Sequence, residues 1–258
     1  MKKLKFALIN IFGQDAKKLG DFALKFAFKG IDWSLSLDLS ERDFLRKMNM
    51  LKGFEVRYHC AWPRIDIAYA DQRAEQAMHI FRQMMVFVSK VDGRYITIHI
   101  GLGQTSAKEL DWEKAIKNLS SLVLFGAELG ITICLENITR AWTSSPEMFQ
   151  TLIEKTGAGV TLDIGHVHAC RKNRRFDDFF KLYLLPNKER IFNAHIYHTE
   201  THQGHVAPIS VNQLADRLRL LRSAPSCNWW VIELSKPDEI LQTKDLLTKF
   251  LYSYERKS

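Results

Sequence analysis

No stretch of this chain approaches the ~20 uninterrupted apolar residues that a membrane-spanning helix requires. The opening MKKLKFALINIFGQDAKK carries too short an apolar run for a secretory signal, so a soluble cytoplasmic protein without a membrane partner is expected. Cysteine is sparse. Cys60, Cys134, Cys170 and Cys227 stand far apart with no CxxC pair, which argues against a disulfide framework and for reduced thiols in packing roles. A Pro/Gly/Ser-rich linker, a low-complexity tract and a sequence repeat are all missing, so nothing supports a second domain and residues 1–258 read as one.

What is present fits one large α/β unit. The chain has 258 residues, 46% of them hydrophobic, and a single α/β barrel needs ~250. The formal charge is +8, with a basic cluster RKNRR at 171–175. Such a surplus draws polyanions and phosphorylated substrates over distance but specifies neither, and a solvated basic surface is the simpler reading.

Strand-like and helix-like segments alternate along the chain. The expected strands are KFALIN, IDWSLSL, EVRYH, YITIHI, ITICLE, GVTLDI, IFNAHI and WWVIEL. Helices are expected over Asp15–Phe28, Leu39–Leu51, Asp71–Lys90, Lys108–Leu129, after Ser145-Pro146, Phe176–Leu185, Ser210–Leu221 and from Asp238. Ser145, Pro146 and Glu147 put a cap, a first-turn proline and an acid in the order that starts a helix. Eight β/α units predict a closed (β/α)8 TIM barrel. Long loops at 59–70, 137–144 and 196–209 follow strands and have room to build a site.

Six of the apolar runs end in a side chain able to bind metal: His59, His99, Glu136, Asp163, His195 and Glu233. In a parallel barrel the strand ends converge on one mouth, where active sites form. A polar group closing a Val/Ile/Leu run is costly unless it reaches that mouth or finds a partner. Glu136, Asp163, His195 and Glu233 offer three carboxylates and an imidazole, a set suited to one Mn²⁺, Co²⁺, Zn²⁺ or Mg²⁺ ion. Each has a plainer explanation as a helix cap, a surface ion pair or a hydrogen-bonded core histidine. Independent capping roles would not align all of them on one rim.

The stretches LENITR with SSPEMF, VTLDIGHVHAC, FNAHIYHTE with GHVAPIS, and WVIELSKP resemble the successive strand-loop signatures of the xylose isomerase-like TIM barrels. That family includes sugar isomerases and epimerases and the endonuclease IV type of repair enzyme. The resemblance spans nearly the whole chain and implies that Glu136, Asp163, His195 and Glu233 hold the shared metal, with His166 close to the same site. For an isomerase it implies a divalent ion on adjacent oxygens of a sugar or sugar phosphate, stabilising an enediolate while Glu136 and Glu233 deliver and remove the proton on two faces. His166 and His205 would contact substrate. A homo-oligomer is compatible with this reading.

His59 and His99 are not needed by that mechanism. In the endonuclease branch the corresponding histidines hold an additional zinc, and a third zinc uses the histidine matching His166 with an Asp-Arg-His stretch. Here that stretch is Gln203-Gly204-His205, so one acidic ligand is expected to be missing and a complete trinuclear cluster is disfavoured, while two metals remain open. His59 and His99 are weighed more as pocket lining than as ligands, and nucleic acid less than a small sugar as partner. A non-catalytic sugar-binding barrel is the third reading. The chain departs from the family at Pro208-Ile209-Ser210, where many members carry a glycine-bearing turn, and at IDWSLSL, where many carry a glutamate. Trp62, Arg140, Trp142 and Tyr197 are candidates for a sugar platform or phosphate clamp.

Overall fold

The computed structural model describes residues 4–103, 107–171 and 175–256. Eight parallel strands close into a barrel: β1 (Lys5–Leu8), β2 (Gly30–Ser34), β3 (Glu55–Cys60), β4 (Tyr95–Ile98), β5 (Thr132–Glu136), β6 (Gly159–Asp163), β7 (Ile191–Ile196) and β10 (Trp229–Ile232). Each neighbours its sequence successor, and β10 returns to pair with β1. This is the expected (β/α)8 barrel. Helices α1 (Ala16–Lys25), α2 (Glu41–Met50), α3 (Arg73–Ser89), α4 (Trp112–Glu128), α5 (Pro146–Thr156), α7 (Phe176–Asn187), α8 (Ala215–Leu221) and α9 (Pro237–Glu255) form the outer ring.

Local chemistry sets several of these boundaries. Ser145 Oγ accepts from the Met148 amide and Pro146 opens α5, as the cap signature predicts. The helices predicted from Lys108 and Ser210 start later, at Trp112 and Ala215, and short 3₁₀ turns at Ala107–Glu109 and Val211–Gln213 precede them. Asp111 accepts from the Lys114 amide and so caps α4 at that later start. Strand β2 ends at Ser34, short of the predicted IDWSLSL run. Two elements were not anticipated. Helix α6 (Ile164–Cys170) begins directly at the end of β6, and an antiparallel hairpin of β8 (Thr199–Thr201) and β9 (Gly204–Val206) occupies the loop after β7.

The barrel interior is polar in a layer beneath the mouth. Thr97 and Thr161 hydroxyls meet at 2.7 Å, Asn193 Nδ2 donates to Thr161 Oγ1 at 3.0 Å, and Arg57 donates to Asn193 Oδ1. The Thr97–Thr161 and Arg57–Asn193 bonds join strands that are not neighbours, β4 to β6 and β3 to β7, so the four side chains point inward. Side chains repeat every second residue along a strand, which aims His59, His99, Asp163 and His195 inward one layer higher. The sequence alternation therefore carries the site.

A cavity of about 980 Å³ opens at the opposite, N-terminal end of the barrel, lined by Lys5, Lys52, Arg57, Tyr95 and Phe192 among others. Arg57 donates to Glu55, Asn193, Asn228 and the Phe192 carbonyl and closes the barrel floor there. The chemistry lies at the other end.

Candidate metal centre

All six strand-end residues meet in the mouth. Single ligand atoms from Glu136, Asp163, His195 and Glu233 lie within 4.8 Å of one another, and so do atoms from His59, His99 and Glu136. The first four come from β5, β6, β7 and the residue after β10, which are consecutive around the barrel wall. Glu136 and Glu233 thus stand at the two ends of an arc. His195 Nδ1 is 3.2 Å from Glu136 Oε1, 3.0 Å from Glu233 Oε2 and 3.9 Å from Asp163 Oδ2.

Glu136 links two groups. Its Oε1 faces His195, while its Oε2 lies 3.3 Å from His59 Nε2 and 3.1 Å from His99 Nε2. The two Nε2 atoms are themselves 3.4 Å apart. Burial presses the Glu136 carboxyl upward, but His195, His99 and His59 outweigh it and hold it well below the usual carboxylate range. Glu233, 13% exposed, is also drawn down, to about 2, chiefly by His195. Asp163 behaves in the opposite way: burial raises it to about 6, with Glu136 and Glu233 adding to the rise against His166.

Asp163 has two jobs at one position. Its Oδ1 accepts from the His166 amide at 2.7 Å and caps α6, while its Oδ2 accepts from Tyr197 Oη at 2.9 Å and stands 3.3 Å from His166 Nδ1. The cap and the candidate ligand are therefore the same side chain. Asn137, next to Glu136, pins this strand end by exchanging two hydrogen bonds with the Asp163 backbone. Gly165 is required by Tyr197: a Cβ there would fall 2.1 Å from the phenol ring. The DIGH signature thus encodes a candidate ligand, a cap and a seat for Tyr197.

His166 and His205 form a third grouping with Glu200 of β8, again with one ligand atom from each within 4.8 Å. The His166 Nδ1 lies 2.8 Å from the Asn137 carbonyl, and the His205 Nδ1 lies 2.9 Å from the Glu233 carbonyl. A carbonyl only accepts, so each Nδ1 carries a proton, and when the ring is neutral the lone pair is on Nε2. Glu200 Oε2 is 3.6 Å from His166 Nε2 and accepts from Thr139 Oγ1 at 2.7 Å. Gln203-Gly204-His205 carries no acid itself, but Glu200, one strand earlier, stands beside His166 and His205. Sequence reading missed it because the hairpin, which sets Glu200 opposite His205, was not anticipated.

Other mouth residues resolve differently. The Tyr197 ring stacks on His205 at 3.9 Å and 9° while its hydroxyl is committed to Asp163. Trp62 donates to the Leu35 carbonyl, and Trp142 packs edge-on against Trp112, so both have structural partners. Arg140 is exposed. His198 accepts from Arg217 Nη2 and pairs with His168. Of the RKNRR cluster, Lys172, Asn173 and Arg174 lie outside the described residues.

The residues fit a cation. Two buried carboxylates, a third that is partly accessible and an imidazole converge on one point, and without a counter-ion of higher charge they must borrow protons to offset their repulsion. Glu136 Oε2 sits close to two imidazole nitrogens yet makes no hydrogen bond with them among the described residues. Oxygen and nitrogen donors in this ratio suit Mn²⁺, Co²⁺, Zn²⁺ or Mg²⁺.

The fold is an α/β barrel with a cluster of candidate metal ligands at its C-terminal mouth. The family model described as xylose isomerase-like TIM barrel matches residues 16–249, and the chain belongs to that family. An uncharacterized protein of Methanocaldococcus jannaschii is 29% identical over 168 residues, which cover 65% of this chain and 71% of that protein. Among solved structures, a D-tagatose 3-epimerase-like protein superposes with a TM-score of 0.78 at 16% identity, covering 98% of this chain and 99% of that one. The IOLI protein with a bound zinc atom gives a TM-score of 0.72 at 15% identity over 97% of this chain and 99% of that one. These two likenesses establish the shared fold.

Proposed function

We propose that the chain is a metal-dependent isomerase or epimerase of a sugar or sugar phosphate, with Glu136 and Glu233 as its acid/base pair. The observation that carries this reading is the arc of Glu136, Asp163, His195 and Glu233, with the two glutamates at its ends. The likeness to a D-tagatose 3-epimerase-like protein supports the substrate class.

Glu136, Asp163, His195 and Glu233 would hold a divalent ion, which would supply Lewis-acid stabilisation of negative charge on the carbonyl oxygen and its neighbouring hydroxyl oxygen when a proton leaves the carbon beside the carbonyl. The chain's own residues do the rest. Glu136 and Glu233 approach the bound sugar from opposite ends of the arc, so one takes the proton on one face and the other returns it on the second. Asp163 and His195 fix the centre between them. His166 and His205, with their Nδ1 protons held by carbonyls, offer Nε2 lone pairs to substrate hydroxyls. The β8–β9 hairpin carries Glu200 and His205 over this space.

Incubating the metal-loaded protein with a panel of ketoses and ketose phosphates in D₂O tests the proposal. Metal-dependent deuterium should enter at the carbon beside the carbonyl; no exchange across the panel would refute it.

A second reading is favoured by one observation, the row of three groupings: His59–His99–Glu136, the four-residue arc, and His166–Glu200–His205. Three such groupings suit a multi-zinc phosphodiesterase acting on damaged DNA. Incision of an abasic-site duplex by metal-replete protein would establish that reading, and its absence would dismiss it.

A further inference from the structure

Asp32 lies inside β2 at 0% exposure, where a carboxylate needs a reason to be. Its Oδ2 accepts from Trp229 Nε1 at 3.4 Å. Its Oδ1 makes no hydrogen bond among the described residues and stands 3.8 Å from His59 Nδ1. Single ligand atoms of Asp32, His59 and His195 lie within 4.8 Å of one another. His59 Nδ1 and His195 Nε2 are also buried without a hydrogen-bond partner among the described residues. A bare acceptor thus faces the bare His59 Nδ1 with His195 in the same grouping, and the other carboxylate near that nitrogen, Glu233 Oε1 at 3.9 Å, belongs to the proposed metal arc, which leaves Asp32 as the acceptor.

Their chemistry is complementary. His195 turns Nδ1 toward Glu136 and Glu233, and His59 turns Nε2 toward Glu136 and His99. If those nitrogens are to present lone pairs to a cation, the ring protons must sit on His195 Nε2 and His59 Nδ1, the two bare atoms. A carboxylate is the usual acceptor for such a proton, since it fixes the ring and raises its basicity.

Resting on the metal-centre reading above, we propose that Asp32 is a positioning residue that takes the ring protons of His59 Nδ1 and His195 Nε2 and so aims both imidazoles at Glu136. The 3.8 Å separation is longer than a hydrogen bond, and a contraction of about 1 Å makes it one. The carboxylate is braced for this from behind. Trp229 holds it through the indole N–H, and that indole has a fixed seat because Gly30 has no Cβ, which would fall 2.2 Å from the ring. The Arg57 guanidinium lies over the Trp229 ring at 4.5 Å. A metal bound by this trio instead would require both rings to give up both protons. Positioning is the cheaper use of the same atoms.

Asp32→Asn keeps the volume and removes the charge. Competition of Zn²⁺ and Mn²⁺ against a chromophoric chelator should show affinity falling by about 10- to 100-fold. Long-range ¹H–¹⁵N spectra of the zinc-loaded protein should show wild-type ring protons at His59 Nδ1 and His195 Nε2 that shift and exchange faster in Asp32→Asn. Thr97→Val, which breaks a cross-barrel bond one layer below, should lose stability and keep both zinc affinity and those signals. Should Asp32→Asn not fold, Trp229→Phe, which removes only the N–H on Asp32, should move the same two signals. Unchanged signals in these variants, or weaker metal binding with unchanged signals, would overturn the positioning role while leaving the proposed function intact. Wild type that binds neither ion would instead overturn the proposed function.

Discussion

Glu136 Oε1 and His195 Nδ1 lie 3.2 Å apart, and Glu233 Oε2 closes on the same nitrogen from the far end of the arc at 3.0 Å. One N–H shared between two carboxylates serves each of them poorly; the proposed cation would sit there, and the first prediction concerns these two acids. Glu233, which sits past the strand end and is partly accessible, is expected to act mainly in proton transfer. Glu233→Gln should lower kcat by about 10²- to 10⁴-fold. Glu136→Gln should weaken metal binding more than Glu233→Gln does, since it strips charge facing three imidazoles. Steady-state rates with a ketose substrate, alongside metal titration, separate the two effects.

A second prediction concerns pH. In the metal-free protein, burial presses His166 toward neutrality, but Asp163, Glu200 and Glu136 outweigh it and raise it from 6.5 to about 10; His195 is raised well above its usual value by Glu136 and Glu233. Raised imidazoles stabilise the fold fully below the unfolded value and lose that contribution as pH climbs through the folded one. Metal-free protein should therefore lose thermal stability between pH 6.5 and about 10. A ligating imidazole must be neutral, so metal binding should expel protons and tighten over the same window. Calorimetry in buffers of differing ionisation enthalpy counts the released protons, and a count of zero at pH 7 would contradict the scheme.

Gly165→Ala tests the seat of Tyr197. The added methyl meets the phenol ring, so a loss of about 1–3 kcal/mol is expected. Displacement of Tyr197 also costs Asp163 its hydroxyl partner, and metal affinity should drop with stability. Chemical denaturation and metal titration of this variant measure both.

The thiols give a fourth prediction. Cys60, Cys134 and Cys227 are buried, and burial pushes the Cys134 and Cys227 thiols up to about 12 and Cys60 well above its usual value. Protonated buried thiols are poor nucleophiles. A disulfide reagent at pH 8 should label the native protein at half-buried Cys170 at most, and all four positions after unfolding.

Much of this was legible before any coordinates. Strand-end chemistry is written at period two, so His59, His99, Glu136, Asp163, His195 and Glu233 could be placed on one rim from hydrophobic runs alone. Ser145 and Pro146 marked a helix start by local capping, which needs no tertiary information. Asp32 escaped because it lies inside a strand, where one polar residue among apolar ones carries no sign of which neighbours it meets across the barrel. Glu200 escaped because its role depends on hairpin pairing that brings it opposite His205. Helix α6 was hidden because DIGHVHAC reads as a loop motif until Asp163 is seen to cap it. The late starts of α4 and α8 follow from 3₁₀ turns that propensity does not separate from helix.

The most direct test of the account is the metal content and its dependence on the arc. Protein purified without chelator, and chelator-stripped protein reloaded with Mn²⁺ or Zn²⁺, should hold one tightly bound equivalent by elemental analysis. That equivalent should be lost in Asp163→Asn combined with Glu233→Gln. Wild type that takes up neither ion, or a double variant that binds as tightly as wild type, would contradict the claim that Glu136, Asp163, His195 and Glu233 form a metal centre.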